Sequence, residues 1–480
     1  MTSRRVELAP EATELARGFA RIRRQMELPA AWPQEVEQEA EAPCDAAMDP
    51  ARYRDARDIE LVTIDPPGSR DLDQAFHAES NGSGYVVHYA IADVAAFVTP
   101  GSALDVESHR RGQTLYCPDE RILLYPPVLS EGAASLLPDM DRPSVLWTVE
   151  LDHDGRPTDV DVHRALIRSR AQLTYEDAQH AIDNGDGSSL GVLKAVGELR
   201  LEQERARGGV SLELPDQEVV RANASYHLNY RAPLPVESWN AQISLLTGMA
   251  AADIMIRGGL GLLRTMPAPD EQTIALLRRS AAALDHAWPD SVSYPDFVRT
   301  LDPSRPADAA LVMLATRLFR GVAYTYFVGA APADAAQHAI AAPYAHVTAP
   351  LRRVADRFAT EVVLSICANA PPPAWCREAL PRLPDEMKEA DRRAGELERR
   401  VVDFVEAVVM ESRRGETFDA VVVELGRHGG TIQIKDPAVL APCDGSLELG
   451  SSIRARLVEV DPDRGRLRFE ALDGPSGGGA

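Results

Sequence analysis

The pattern of apolar and polar positions changes along the chain. Between residues 57 and 165, short alternating runs bounded by Gly, Pro and Asp predict β-strands, most clearly at 85–98 and 145–151. From residue 173 onward the apolar spacing becomes helical. The predicted helices are 190–207, 240–257, 308–325, 354–370 and 387–414, and the predicted surface loops are 184–191 and 291–306. This order predicts an α+β fold that begins with a β-rich region.

The two ends of the chain have their own patterns. Residues 11–26 show helical periodicity, so residues 1–56 are expected to form a helical arm or a small accessory segment. The main α+β unit is expected at 57–412. Four alternating runs within 416–472, separated by Gly, Asp and Pro turns, predict a small β-barrel. Residues 473–480 are rich in Gly and Ser and predict a disordered tail.

Composition narrows the class of protein. The chain has 480 residues, enough for two or three domains, and its hydrophobic share of 45% is typical of globular proteins. No apolar run approaches the ~20 residues of a membrane span, and no apolar stretch of the secretory type follows the N-terminal arginines. Five cysteines are scattered without a Cys-x-x-Cys pair. This argues against a disulfide framework and a zinc site, and it predicts a cytoplasmic protein without a membrane partner.

The net charge at first argues against a nucleic-acid partner. The formal charge is −22, whereas neutralisation of phosphates by basic residues drives most non-specific binding to nucleic acids. Net charge does not describe the inside of a groove, however. Arginine pairs occur at 110–111, 278–279, 352–353, 392–393 and 399–400. Each pair taken alone is best interpreted as part of a solvated helix face.

The strongest chemical signal is the sequence TIDPPGSRDLDQA at 63–75, here called the acidic stretch. It places Asp65, Asp71 and Asp73 around a Pro-Pro-Gly-Ser turn. If the chain is extended after the turn, Asp71 and Asp73 point to the same face, and the turn can bring Asp65 beside them. Clustered carboxylates repel one another unless a cation lies between them, and Mg²⁺ prefers oxygen ligands. This predicts a metal site suited to phosphodiester hydrolysis, with ordinary turn chemistry as the alternative.

Further motifs follow the acidic stretch in a fixed order. They are VHYAIADV at 87–94, LD and RGQTLY between 104 and 116, PPVLS at 126–130, ASLLP at 134–138, YAHVTAPLRRVAD at 344–356 and the pair ER at 398–399. One such motif is weak evidence, but the whole series in this order is strong. The series resembles the RNB catalytic domain of the ribonuclease II and ribonuclease R family, and the resemblance covers roughly residues 57–405.

The resemblance implies an activity. It implies a processive 3′-to-5′ exoribonuclease that hydrolyses single-stranded RNA to nucleoside 5′-monophosphates with Mg²⁺, or with Mn²⁺ in its place. Threading of RNA implies a monomer with a narrow positive channel inside an acidic exterior. The resemblance also implies a fold, namely an RNB catalytic domain whose helices enclose the β-rich active-site region.

The resemblance also bears on the two ends. The barrel at 416–472 is implied to be an OB-fold that binds RNA, and the residues before 57 are too few for the cold-shock domains of larger members. In the barrel only Phe418 and Phe469 could stack on bases, and either could belong to the core instead.

The resemblance assigns roles to individual residues. The implied catalytic residues are Asp65, Asp71, Asp73 and Arg352, the implied metal ligands are Asp65, Asp71, Asp73 and Gln74, and the implied RNA contacts are Tyr116, Arg353 and Glu398. Arg352 would bind the scissile phosphate, because a guanidinium binds phosphate oxygens bidentately. Tyr116 would stack on the terminal bases. Arg353 could share the phosphate role or be structural, and Glu398 could lie near the nucleotide exit or only form a salt bridge.

Several positions depart from the family pattern. Gln74 stands where the family has a fourth Asp, so a second metal ion would be held more weakly, or Gln74 would orient water instead. Leu212 stands where a second stacking aromatic is expected, and Ala349 and Val354 replace Ser and Tyr. These departures keep a catalytically weakened RNA-binding relative as an alternative. A metal phosphodiesterase acting on small nucleotides is a third hypothesis.

Overall fold

The structure is a computed structural model that describes residues 6–8, 13–42, 52–185, 187–210, 216–222, 225–231, 233–302, 305–434, 436–437 and 439–472. The helices are α1 (Thr13–Gln25), α2 (Gln34–Glu41), α3 (Ala103–Arg111), α4 (Tyr175–Asp183), α5 (Ser189–Ala206), α6 (Pro235–Gly258), α7 (Glu271–Ala283), α8 (Tyr294–Val298), α9 (Pro306–Ala315), α10 (Val354–Cys367), α11 (Ala374–Ala379) and α12 (Leu383–Met410).

The strands alternate with these helices along the chain. They are β1 (Val6–Leu8), β2 (Arg54–Asp55), β3 (Val62–Ile64), β4 (Gln74–Ser80), β5 (Gly84–Ala92), β6 (Leu115–Tyr116), β7 (Arg121–Ile122), β8 (Asp141–Asp152), β9 (Pro157–Arg168), β10 (Ala171–Leu173), β11 (Asp216–Ala222), β12 (Ser225–Arg231), β13 (Leu260–Thr265), β14 (Ala323–Val328), β15 (Ala336–Gln337), β16 (Ala342–Pro343), β17 (Thr417–Leu425), β18 (Gly429–Ile434), β19 (Val439–Asp444), β20 (Ser452–Asp461) and β21 (Arg466–Ala471).

A seven-stranded sheet lies at the centre of the fold. Its strand order is β10-β3-β4-β5-β8-β9-β2. The strands from β3 to β9 pair antiparallel, whereas β10 pairs parallel with β3 and β2 pairs parallel with β9. Val145, Trp147 and Val149 of β8 are fully buried, since helices cover the sheet. The acidic stretch therefore connects two neighbouring strands, β3 and β4, of a rigid sheet.

Helices pack closely against this sheet. α5 lies against β4 and α6, and α10 lies against β9 and α6. Gly197 of α5 permits the close approach of α6, because a Cβ atom at this position would lie 2.4 Å from the Trp239 Cβ. Burial of α10 follows from its apolar face, whereas α6 is apolar around most of its circumference. None of the helices described combines the length and the apolar character that a membrane span requires.

The helices before the central sheet pack on the rest of the chain. Phe19 of α1 meets Phe404 of α12 edge to face, with ring centroids 5.5 Å apart. Glu39 of α2 accepts hydrogen bonds from the Ala103 and Leu104 amides at 3.1 and 2.8 Å. A carboxylate at that place also suits the positive end of the α3 dipole. These contacts agree with a packed helical arm, although the boundary expected at residue 56 stays a prediction.

The C-terminal region is a closed barrel with the strand order β17-β18-β19-β21-β20. Phe418 and Phe469 pack edge to face inside it, with centroids 5.9 Å apart, and both are buried. Both therefore belong to the core, and neither is available to stack on a base. The sequence pattern predicts four of the five strands but not β19, which contains Pro442.

Most predicted helices agree with the structure to within a few residues, namely those corresponding to α1, α5, α6, α10 and α12. The predicted helix at 308–325 is too long, because α9 ends at Ala315 and β14 begins at Ala323. Gly321 has a φ of 83°, which suits a turn rather than a helix. α8 lies within the predicted loop 291–306, and α5 begins inside the predicted loop 184–191. The expected tail at 473–480 and Leu212 lie outside the residues described.

Candidate active site

The acidic stretch lies where β3 leaves the sheet and β4 enters it. After β3, the Asp65 amide donates to the Leu173 carbonyl at 3.0 Å. Before β4, the Asp73 carbonyl accepts from the Ala92 amide at 2.9 Å. Leu72, between the carboxylates of Asp71 and Asp73, has no exposed surface. The sheet and the core therefore fix both ends of the stretch.

Asp73 is the most enclosed of the three aspartates. Its side chain is 4% exposed, its Oδ1 accepts the Leu351 amide at 2.7 Å, and its Oδ2 lies 3.4 Å from Arg352 Nε. Burial raises the pKa of Asp73 to about 8, against the opposing effects of the Arg352 guanidinium and the Leu351 amide, and Asp71 adds to the rise. A further cation nearby would favour the charged form of this carboxyl group.

Asp65 has an oxygen without a partner. Its Oδ2 is buried and has no hydrogen bond among the residues described. Burial raises the pKa of Asp65 to about 6, the neighbouring Thr63 hydroxyl and then Arg352 oppose the rise, and Asp71 adds to it. An unsatisfied buried carboxylate oxygen is costly, and it is also the kind of ligand that a hard divalent cation accepts. The carboxylates of Asp65 and Asp73 therefore fit a Mg²⁺ or Mn²⁺ ion.

Asp71 has a different partner. Arg121 Nη1 donates to Asp71 Oδ1, and Arg121 Nη2 donates to Glu131 Oε1 at 2.8 Å. The charge of Asp71 still reaches Asp65 and Asp73, since it raises the pKa of both. Within the described ranges, no three His, Cys, Asp or Glu side chains converge closely enough to hold a metal ion. The predicted set of metal ligands stays a prediction.

Gln74 ties the acidic stretch to the segment that carries Arg352. Its Nε2 donates to the Thr348 carbonyl, and the Thr348 hydroxyl lies 2.9 Å from the Ser244 hydroxyl of α6. A carboxylate at position 74 would face the same carbonyl without a proton to donate. This contact gives Gln74 a structural role, and its role as a metal ligand stays a prediction.

Arg352 and Arg353 precede α10 but have different surroundings. The Arg352 side chain is 42% exposed and lies beside Asp73. Arg353 binds Asp356 through two hydrogen bonds of 2.9 and 2.8 Å, and Asp356 also accepts the Ala349 amide at 2.7 Å. Of the two roles left open for Arg353, this geometry favours the structural one. Arg352 is the guanidinium of the pair that is accessible beside the acidic stretch.

Tyr116 lies on the short hairpin formed by β6 and β7. It pairs across the hairpin with Arg121, and directly opposed residues project to the same face. The hairpin is joined to the other side of the site, because the Thr114 amide donates to the Arg352 carbonyl at 3.0 Å. Tyr116 is also close enough to influence Arg352 electrostatically. The structure thus brings Tyr116 to the side of the site where Arg352 and Asp71 lie.

Glu398 lies on α12, where it is partly buried, and this helix packs against β6. Its proposed place near a nucleotide exit stays a prediction. Other arginines are engaged within the protein, since Arg110 and Arg111 both donate to Glu107, and Arg392 donates to Glu389. For these arginines the geometry favours the interpretation as helix faces or structural pairs.

Two residues that hold the acidic stretch in place, Ser135 and Arg121, have no role assigned from the sequence motifs. The Ser135 hydroxyl accepts from the Leu72 amide at 3.0 Å and donates to the Arg70 carbonyl at 2.6 Å. Ser135 belongs to the motif ASLLP, so the motif series contains a signal that this residue is part of the site. Arg121 gave no such signal, because its carboxylate partner Asp71 lies 50 positions earlier.

Comparisons with solved structures define the class of fold. Ribonuclease R of Mycoplasma genitalium, in complex with ribose methylated single-stranded RNA, matches with a TM-score of 0.85 at 18% identity, over 95% of this chain and 77% of that chain. Yeast Ssd1, described as a pseudonuclease, matches with a TM-score of 0.72 at 17% identity, over 93% of this chain and 57% of that chain. At such identities the likeness shows the fold alone, and it confirms the predicted α+β architecture.

Sequence comparison gives the family. The RNB domain matches residues 53–368, and the RNase II-type exonuclease C-terminal S1 domain matches residues 416–472. The chain belongs to the RNB-domain exoribonuclease family, which confirms the resemblance. Ribonuclease R of Escherichia coli (strain K12) is 28% identical over 441 residues, which cover 85% of this chain and 53% of that relative. The chain therefore spans about half the length of this relative.

Proposed function

We propose that this chain is a metal-dependent exoribonuclease that degrades single-stranded RNA processively from its 3′ end and releases nucleoside 5′-monophosphates. The observation that carries the proposal is the position of two aspartates, the buried Asp73 and the partly buried Asp65, near an accessible arginine. Asp65 has a buried oxygen without a partner, and Asp73 lies 3.4 Å from Arg352. We further propose a cytoplasmic monomer with segments at 1–56, 57–412, 416–472 and 473–480.

The residues of the site have distinct parts in this proposal. Asp65 and Asp73 would hold Mg²⁺ or Mn²⁺, and the bound ion would supply activation of water and stabilise charge on phosphate oxygens. Arg352 binds the scissile phosphate, because its guanidinium is permanently charged and can donate two parallel hydrogen bonds. Tyr116 stacks on the last bases and holds the RNA end against Arg352.

The test uses 5′-end-labelled poly(A) with and without Mg²⁺. Processive degradation predicts that full-length RNA is converted to one short labelled fragment without accumulating intermediates, with unlabelled 5′-AMP as the released product, and that EDTA stops cleavage. Cleavage confined to dinucleotides would instead favour a small-nucleotide phosphodiesterase. RNA binding without cleavage in Mg²⁺ or Mn²⁺ would favour a catalytically weakened RNA-binding relative.

A second function, that of a catalytically weakened RNA-binding relative, is favoured by Gln74. Its amide is committed to the Thr348 carbonyl, and it replaces a carboxylate of the family pattern. The likeness to the pseudonuclease Ssd1 is a likeness of fold and does not decide between the two functions.

Substitution Gln74→Asp tests whether Gln74 weakens metal binding at the site. If the site is active but holds its metal weakly, the added carboxylate should lower the Mn²⁺ concentration that gives half-maximal cleavage. The same change removes the hydrogen bond to Thr348, so metal-free stability should fall by roughly 0.5–1.5 kcal/mol. Initial rates over a Mn²⁺ titration, with Gln74→Asn as the control, measure the effect. An unchanged metal requirement would place Gln74 outside the metal site.

Substitution Tyr116→Ala should lengthen the final fragment. It removes a stacking surface that contributes roughly 1–3 kcal/mol per base, so short RNAs should dissociate earlier. A sequencing gel of end-labelled poly(A) measures the length, and Tyr116→Phe should retain the wild-type product. If Tyr116→Ala and wild type leave the same fragment, Tyr116 does not hold the RNA end.

A further inference from the structure

Arg121 contacts the acidic stretch through Asp71, and the proposed function gives this arginine no role. Its guanidinium bridges two carboxylates, with Nη1 on Asp71 and Nη2 on Glu131 at 2.8 Å. The Asp71 side chain is only 8% exposed, and the Arg121 side chain is 30% exposed. Bulk salt screens such a partly buried pair less than a surface pair, so the contact is a stable part of the site.

The protein's own charges at the site do not balance. Its carboxylates are those of Asp65, Asp71, Asp73 and Glu131, and its guanidinium groups are those of Arg121 and Arg352. When all are ionised, four negative and two positive charges leave two negative charges. One divalent cation balances them. At Asp71, Arg121 already occupies Oδ1, and its positive charge would disfavour a second divalent cation there.

The backbone around Arg121 is held from two sides. On one side the β6–β7 hairpin is joined to the Arg352 segment through the Thr114 amide. On the other side Arg23 of α1 binds Asp119 and Glu120 in the hairpin turn at 2.6 and 2.9 Å. The β6–β7 hairpin is thus held in place and positions Arg121 beside Asp71, which reduces the entropy cost of forming the ion pair.

We propose that the Arg121 guanidinium neutralises the Asp71 carboxylate and occupies the position at which a second metal ion would bind. The chain would then hold one divalent cation, with Asp65 and Asp73 as its ligands. This inference rests on the proposed metal site. It agrees with Gln74, because a site with one metal ion does not need the carboxylate that Gln74 replaces. Arg121 acts here as a positioning residue that keeps Asp71 in place.

The test counts bound Mn²⁺ in the absence of RNA, by calorimetry and by electron paramagnetic resonance of the free ion. Wild type should bind one Mn²⁺ per chain, and Arg121→Gln should bind two. Arg121→Lys should bind one, since the ammonium group keeps the charge. The matched control is Arg57→Gln, because Arg57 also bridges two carboxylates, Asp55 and Asp141, at 2.6 and 2.9 Å. This control should bind one.

A second variant makes the test independent of how well Arg121→Gln folds. Because the charge of Asp71 reaches Asp65 and Asp73, Asp71→Asn should weaken Mn²⁺ binding but leave one ion bound per chain, whereas Asp65→Asn should abolish binding. Thermal unfolding in EDTA checks that each variant is folded.

Several outcomes would overturn the proposal. They are two Mn²⁺ ions or none in wild type, one ion in a folded Arg121→Gln, and loss of binding in Asp71→Asn. These outcomes are separable from the proposed function. A wild type that binds two ions and degrades poly(A) refutes the role of Arg121 alone, and one that binds a single ion without cleaving RNA supports it while refuting the proposed activity.

Discussion

Asp73→Asn is expected to lower the rate of RNA cleavage by at least about 10³-fold and to leave RNA binding nearly unchanged. The amide has the same shape and can still accept the Leu351 amide, but it carries no charge to hold a cation. Cleavage of end-labelled poly(A) and binding by fluorescence anisotropy measure the two effects. Since RNA affinity comes from other contacts, the loss should appear in kcat rather than in KM.

The same substitution should not destabilise the protein. Burial raises the pKa of Asp73 to about 8, so the folded state holds this proton more tightly than the unfolded chain does. The stability that this group contributes is fully present below its unfolded pKa and is lost as pH rises towards 8. Asparagine removes that dependence, so metal-free Asp73→Asn should unfold at pH 8 at or above the wild-type temperature.

The matched control is another buried aspartate of the central sheet. Asp93 accepts the Tyr53 hydroxyl at 2.8 Å and Arg164 Nε at 2.7 Å. Asp93→Asn should therefore reduce stability and leave the cleavage rate of the folded protein close to wild type. Cleavage by Asp73→Asn at a rate similar to that of wild type would show that Asp73 is not catalytic and would refute the proposed mechanism.

The acidic stretch shows what local sequence can predict. A turn between two strands places Asp65 after β3 and Asp73 before β4, and this follows from short-range patterns. The partners do not follow from them. Leu351 lies 278 positions from Asp73, and Thr348 lies 274 positions from Gln74. Spacing along the chain carries no information on which distant segments meet, although these contacts determine the charge of the site.

The same limit applies to the fold. α6, α10 and α12 are long and periodic, so their apolar positions predict them well. The predicted helix at 308–325 overlaps the first residues of β14, because a short apolar run fits both periods, and the pairing of β14 with β13 decides the outcome. The alternating runs do not predict β19, which contains Pro442, a residue that is unfavourable inside a sheet, yet the barrel includes this strand.

Arg352→Gln is expected to lower kcat by about 10²–10³-fold, the usual effect of removing one preorganised donor to a developing charge. Arg352→Lys should recover only part of the rate, because an ammonium group cannot bind two phosphate oxygens in parallel. Single-turnover cleavage of end-labelled poly(A) measures both. Because the Arg352 side chain is 42% exposed, its loss should change the unfolding temperature little.

Arg353→Gln provides the contrast, since it changes the same residue type one position later. It leaves Asp356, which is fully buried, without its charged partner and should cost about 3–5 kcal/mol of stability. At a temperature where it is folded, its kcat should stay near wild type. The opposite result, a stable Arg353→Gln without activity and an active Arg352→Gln, would exchange the two roles, because of these two arginines the one that contacts the phosphate is expected to reduce kcat without reducing stability.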